Sequence, residues 1–194
     1  MLAESPQGIY KTHSPKGTPG RTYTLKISTN NNLYSAASLM PMPVSIDTIL
    51  FAISKSSNNN QNNNTSTNNT YRTTCRFTDP AGTGNYYRVV INSNNIAGLG
   101  DNPSRIVADK LTDGQQISVT VRTSLLLGDT VFAQLQCIDK ATYDFYSTLR
   151  GAQGNSSPGQ FLGSLPANPT NNISNKGLGY FAAYSVATTT IVVR

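Results

Sequence analysis

The sequence predicts a mainly β protein, a β-sandwich with one short helix, and three observations carry that class. First, apolar and polar residues alternate strictly along Ile117, Val119, Val121 and again along Val131, Ala133, Leu135, on either side of Gly128-Asp129. A period of two marks a half-buried strand, and two such runs about a tight turn read as a hairpin. Second, similar short runs recur along the chain, separated by turn-forming Gly, Pro, Asn and Asp. Third, the Ala/Glu/Lys/Leu richness of a helical bundle is missing. Of 194 residues, 23 are Thr, 20 Ser and 21 Asn, and 12% are charged, against about a quarter in an average soluble domain.

Taken in order, Gly8 to Thr12 reads as a short strand, and His13 to Gly20 as a turn-rich connection. Arg21 to Ser28 sets Tyr23, Leu25 and Ile27 against Thr22, Thr24 and Lys26, a half-buried strand. Asn30 to Asn32 turn the chain into Leu33 to Leu39. Met40-Pro41-Met42-Pro43 then acts as a linker, because two prolines lack the amide donors that a central ladder needs. A three-strand meander of this size exposes more apolar face than it covers, so residues 1–43 read as the end of an incomplete domain and 44–194 as the sandwich.

Val44 to Ser54 reads as a strand, and the polar tract from Ser56 to Thr70 as a surface loop with nothing to bury. Tyr71 to Thr78 and Tyr86 to Asn92 are strands about a tight connection, Asp79 to Asn85; Asn94 to Ser104 reads as loop. From Asp139 the spacing changes. Ile138, Thr142, Phe145/Tyr146 and Leu149 recur every three to four residues, which predicts a helix of about 11 residues. Asp139 is its N-cap and Arg150 with Gly151 its C-terminal stop. A Gly/Ser/Pro/Asn-rich loop follows to Lys176, and Leu178 to Val193 reads as one long strand or two.

The net charge of +6 comes from few acids, nine, rather than many bases, 15. Lys11, Lys16, Arg21, Lys26, Lys55, Arg72, Arg76 and Arg88 are scattered. Nucleic-acid binders cluster such residues and interleave aromatics. The nearest approach, Tyr71-Arg72 with Tyr86-Tyr87-Arg88, is equally a half-exposed strand, so no nucleic-acid partner is expected. No run approaches the ~20 apolar residues of a membrane-spanning helix. The first six residues, Met1 to Pro6, lack the basic start and apolar stretch of a signal peptide, and no nearby cysteine could take a lipid. Cys75 and Cys137 sit in phase with apolar neighbours in separate strands. Buried free thiols and a bridge between neighbouring strands both fit.

Catalytic groupings are scarce. The only imidazole is His13, and Gly159-Gln-Phe-Leu-Gly163 carries no Ser at its centre, so no hydrolase triad is expected. Glu4, Asp47, Asp79, Asp101, Asp109, Asp113, Asp129, Asp139 and Asp144 are the acids. Most lie at turns, strand ends or the helix cap, where Asp bonds local backbone. Asp109 and Asp113, with Asp101-Asn102, offer oxygen ligands for calcium, yet no EF-hand spacing exists and Asp-Gly turns explain them as well. Gly82-Thr-Gly84 joins strand to strand and is no phosphate loop. Tyr86, Tyr87, Tyr180, Phe181 and Tyr184 have the faces to stack on a sugar, or to fill core and sheet surface. No residue is therefore assigned a catalytic, cofactor-binding or metal-binding role, and no cofactor is expected.

Asp79-Pro-Ala-Gly-Thr-Gly-Asn-Tyr-Tyr-Arg88 resembles a signature of the Bacteroidota surface-lipoprotein family "domain of unknown function 4249". Gly17 to Leu25, Met40 to Asp47, Asp113 to Gln115, Gly128 to Val131, Asp139 to Leu149 and Asn172 to Phe181 resemble the same family in the same order. The likeness spans nearly the whole chain and corresponds to the C-terminal two-thirds of the family. It implies an outer-membrane or cell-surface lipoprotein, often encoded beside a TonB-dependent receptor. It also implies that residues 8–39 are closing strands of a truncated immunoglobulin-like domain. Asp47-Thr-Ile49 and Asp129-Thr-Val131 resemble O-glycosylation sites of that phylum. The family brings no catalytic residues. The expectation is a non-enzymatic accessory to a TonB-dependent uptake system, binding the transporter or its substrate, a glycan or peptide. A secreted carbohydrate-active enzyme using Asp carboxylates, tested by Asp113→Asn or Asp129→Asn, and a purely structural or adhesive module, are the alternatives.

Overall fold

The computed structural model describes residues 3–4, 8–11, 16–29, 31–54, 70–95, 103–152 and 168–194. His13, the polar tract 56–69, Asp101-Asn102 and Gly159 to Gly163 lie outside them. Antiparallel strands dominate. Ala3–Glu4 (β1) pairs with Tyr10–Lys11 (β2), and Thr22–Ser28 (β3) with Leu33–Leu39 (β4). A three-stranded sheet runs Thr48–Ser54 (β5), Thr70–Thr78 (β6), Gln116–Leu125 (β9). The four-stranded sheet has the order Ser185–Val192 (β11), Thr130–Ile138 (β10), Tyr86–Ser93 (β7), Ser104–Ala108 (β8).

These two sheets form a sandwich because each keeps one apolar face. Cys75, Phe77, Ile117, Val119, Val121 and Leu125 point inward from the first sheet. Tyr87, Val89, Ile91, Val131, Ala133, Leu135 and Cys137 meet them from the second. The alternation is clearest on β9, which runs exposed and buried along its whole length. That is the alternation read from Ile117 to Leu135, and burying a Val or Leu side chain contributes about 1.5–3 kcal/mol. Both cysteines are buried and free. Burial pushes the Cys75 thiol up to about 12, with the Asp47 carboxylate adding to the shift, and burial likewise raises Cys137.

Helix Lys140–Ala152 (α1) lies on the outer face of the second sheet. Tyr143 packs against Tyr86 with ring centroids 5.1 Å apart, and the Arg88 guanidinium sits 4.4 Å over the Tyr146 ring. Asp139 caps it as expected: Thr142 N donates to Asp139 Oδ1 at 2.8 Å. The other carboxylate oxygen takes Ser38 Oγ at 2.6 Å and Leu39 N at 3.2 Å, so this one side chain ties the helix start to β4. Ser35 and Ser174 exchange backbone and side-chain bonds, and Ala183 N donates to Ser38 Oγ at 2.9 Å. Asp139→Ala removes a cap and the clip together. It is expected to cost roughly 2 kcal/mol, read as a lower midpoint in urea unfolding.

Four boundaries differ from the sequence reading. The helix passes through Gly151 to Ala152. The strand expected from Val44 begins at Thr48, after the irregular 44–47, although Val44 and Ile46 pack on the core. Of the strand expected over Leu178 to Val193 only Ser185–Val192 is extended and paired. Upstream, side chains take the backbone bonds that a neighbouring strand would take: Asn172 Nδ2 donates to Phe181 O at 2.7 Å, and Phe181 N to Asn172 Oδ1 at 3.0 Å. Strand β8, five residues between Pro103 and Asp109, was not expected; Ser-Arg-Ile-Val-Ala is too short to display a period.

Candidate functional site

Two turns lie side by side at one end of the sandwich. One, Asp79 to Asn85, carries the chain from β6 to β7 across the sheets. The other, Asp109 to Gln115, carries it back from β8 to β9. Their backbones meet directly, with Asp79 N donating to Gln115 O at 3.0 Å and Asp109 N to Asn85 O at 3.1 Å. Three carboxylates then lock the pair reciprocally. Asp79, on the first turn, accepts Gly114 N of the second at 3.0 Å. Asp109 and Asp113, on the second, accept Gly84 N at 3.2 Å, Asn85 N at 3.0 Å and Gly82 N at 2.7 Å from the first. Gly82 and Gly84 hold φ of 117° and 102°, left-handed backbone that glycine adopts without strain and that turns their amides toward the acids.

Asp79 and Asp109 are each 2% exposed, whereas Asp113 faces solvent. Oxygens of all three lie within 4.8 Å of one another, close enough to hold one cation. An all-oxygen set is what calcium takes, although calcium wants six to eight oxygens. The Tyr87 hydroxyl donates to Asp79 Oδ1 from below, with its ring against Phe77 at 4.7 Å. Burial, then that bond and the Asp79 charge, raise the Tyr87 phenol above its ordinary value. Amide dipoles and one hydroxyl therefore already offset much of the negative charge.

The sequence paired Asp109 with Asp113 correctly but set Asp101-Asn102 beside them, and those residues lie outside the described part. Asp79 is the acid that joins them. No local spacing could reveal it, since it comes from another turn 30 residues earlier. The structure does not bring Asp113 and Asp129 together. They flank β9, a strand of ten residues that spans roughly 30 Å. Paired glycosidase carboxylates stand about 5–9.5 Å apart. Asp129 instead closes the β9–β10 turn, accepting Leu126 N at 2.7 Å and Asn95 Nδ2 at 3.0 Å.

The aromatic residues divide too. Tyr87 is core, Tyr180 stacks on Phe145 at 4.6 Å, Tyr86 packs under the helix, and Tyr184 alone of the five is exposed. Arg88 bonds Gln136 and covers Tyr146, so Tyr86-Tyr87-Arg88 is a strand with alternating faces rather than a basic patch.

The family described as domain of unknown function 4249 matches residues 1–190. The chain belongs to that family. No curated protein and no solved structure matches it. In this member of the 4249 family the signature stretch Asp79 to Arg88 is one half of the aspartate clasp together with the start of β7, and Asp113 to Gln115 belongs to the other half. Two of the motifs that carried the resemblance are thus the two turns that hold each other. No described helix is long and apolar enough to cross a membrane.

Proposed function

We propose that the chain is a non-enzymatic binding module, displayed on the outer membrane or cell surface as part of a Bacteroidota lipoprotein, and accessory to a TonB-dependent uptake system. It engages either the transporter or the transported substrate, a glycan or a peptide. Membership of the 4249 family over residues 1–190 is the observation that carries this reading. The geometry supports it in two ways. The closest set of acids, Asp79, Asp109 and Asp113, is engaged in fastening two turns, and two of the three are buried. Asp113 and Asp129, whose substitution would test glycan hydrolysis, sit at opposite ends of β9.

Thermal-shift measurements against a panel of glycans and peptides, with co-purification against a TonB-dependent receptor, test the proposal. Binding raises the melting temperature as ligand concentration passes the dissociation constant, and the ligand is recovered intact. A glycan cleaved by the wild type and spared by Asp113→Asn would replace the accessory role with an enzymatic one.

A further inference from the structure

Folding gathers on one sheet face cations that stand apart in the sequence. Strands β5, β6 and β9 carry three charged residues, Arg72, Arg76 and Arg122, and no acid. Alternation turns Thr73, Cys75 and Phe77 of β6 into the core and Arg72, Thr74 and Arg76 to the outer face. On β9 the exposed set is Gln116, Ser118, Thr120, Arg122 and Ser124. Thr74 pairs with Thr120 and Arg76 with Ser118. Arg122, two residues past Thr120, therefore comes beside Arg72, where the register shifts. Arg72 and Arg76 stand about 13 Å apart along β6. The one described helix, α1, covers the other sheet.

None of the three arginines meets a carboxylate. The one ion pair among the described residues is Lys140–Asp144, on the helix. Asp47, just before β5, takes the Thr78 hydroxyl at 2.8 Å. Arg72 Nε donates to Ser54 Oγ at 3.2 Å. Arg76 Nε is buried and has no partner among the described residues. The exposed Arg122 side chain bonds no described residue. Residues 55–69 and 153–167 contain no Asp or Glu, so neither segment can supply the missing negative charge. Like charges on adjacent strands repel and weaken a sheet. An anion laid across Arg72 and Arg122 relieves that repulsion and gives the guanidiniums their partner.

The chemistry of the face selects the anion. All three cations are arginine, whose planar fork grips a carboxylate with two parallel bonds. Around them stand the hydroxyls of Thr48, Thr74, Thr78, Ser118, Thr120 and Ser124, which both donate and accept. Thr74 and Thr120 share a bond of 2.8 Å. Carboxylates and hydroxyls at regular intervals are what a polymer of uronic acids carries. An acidic peptide would bind through its backbone at a sheet edge rather than across a face. Nucleic acid would need rings on which to stack its bases, and no outward residue of β5, β6 or β9 is aromatic.

We propose that the outer face of the three-stranded sheet binds an acidic polysaccharide, with uronate carboxylates on Arg72, Arg76 and Arg122 and sugar hydroxyls on the surrounding Thr and Ser. This rests on the reading of the chain as a non-enzymatic binding module and names its substrate class. Titration calorimetry of the full chain uses polygalacturonate and alginate, with fully methyl-esterified polygalacturonate as the uncharged match. The two acidic polymers are expected to bind and the ester is not. Arg72→Gln/Arg122→Gln should weaken binding about tenfold or more with an unchanged circular-dichroism spectrum. Arg21→Gln/Arg105→Gln removes as much charge from exposed positions elsewhere and should leave binding unchanged. If the first double variant does not fold, Arg122→Glu takes its place and is expected to weaken binding as much. A wild type that binds neither acidic polymer overturns the proposal. So does equal binding of the ester, a folded Arg72/Arg122 variant that binds as the wild type does, or tighter binding of poly-glutamate or single-stranded DNA. Each of these results leaves the binding-module reading to the thermal-shift panel. A polymer that is shortened by the wild type, and is neither bound nor shortened by the Arg72/Arg122 variant, upholds the face and overturns the non-enzymatic reading.

Discussion

Tyr87→Ala is expected to lower the unfolding free energy by about 4 kcal/mol, and Tyr87→Phe by roughly 2 kcal/mol. Tyr87 is 1% exposed and joins the core to the aspartate clasp. Its ring lies against Phe77, so truncation to alanine leaves a cavity between the sheets. Its hydroxyl donates to Asp79, so phenylalanine keeps the packing and removes only that donor. Loss of the donor matters more than a surface hydrogen bond would. Asp79 is buried, with oxygens of Asp109 and Asp113 within 4.8 Å, and a carboxylate deprived of a donor there meets desolvation and repulsion together. Urea unfolding at neutral pH separates the two effects. A phenylalanine variant as stable as wild type would mean that the hydroxyl contributes nothing to the clasp.

The second large effect is alkaline destabilisation. Burial raises the Cys75 thiol to about 12 and also raises Cys137 above its ordinary 9.0. The Tyr87 phenol rises above 10.0 through burial, its bond to Asp79 and the neighbouring charges. In each case the folded state holds the proton more tightly than the unfolded state. The stability these groups contribute is therefore complete below about pH 9 and is lost as pH rises toward their folded values. Each proton held only by the folded state costs about 1.4 kcal/mol per pH unit. Two thiols give a slope of roughly 3 kcal/mol per unit above pH 9, and the phenol steepens it above pH 10. Unfolding free energies measured from pH 8 to 11 should fall along that curve. A flat profile would show that thiols and phenol titrate alike in both states.

Strand-by-strand alternation makes the core legible in the sequence itself. Ile117, Val119, Val121, Val131, Ala133, Leu135 and Cys137 are all buried, and Asp139 caps the helix as its position indicated. What stayed hidden depends on distant partners. Asp79 joins Asp109 and Asp113 through a meeting of two turns, and residues 178–184 lose their strand to the Asn172 and Ser38 side chains. Neither event leaves a trace in local spacing. The aromatic residues misled for a related reason: Tyr180 and Tyr184 are close neighbours in sequence, yet the helix covers one and leaves the other bare.

The path of the chain through the sandwich constrains how it can be made. Strands β5 and β6 open one sheet, β7 and β8 open the other, and β9 must then return to the first before β10 completes the centre of the second. Neither layer can be finished while the other is unstarted. A nascent chain that has left the ribosome as far as β8 holds two half-built sheets with apolar faces and no β9 to seal the β6 edge. Assembly of this kind waits on contacts between remote parts of the chain, so it is slow and cooperative, and the partly made protein has reason to need a chaperone.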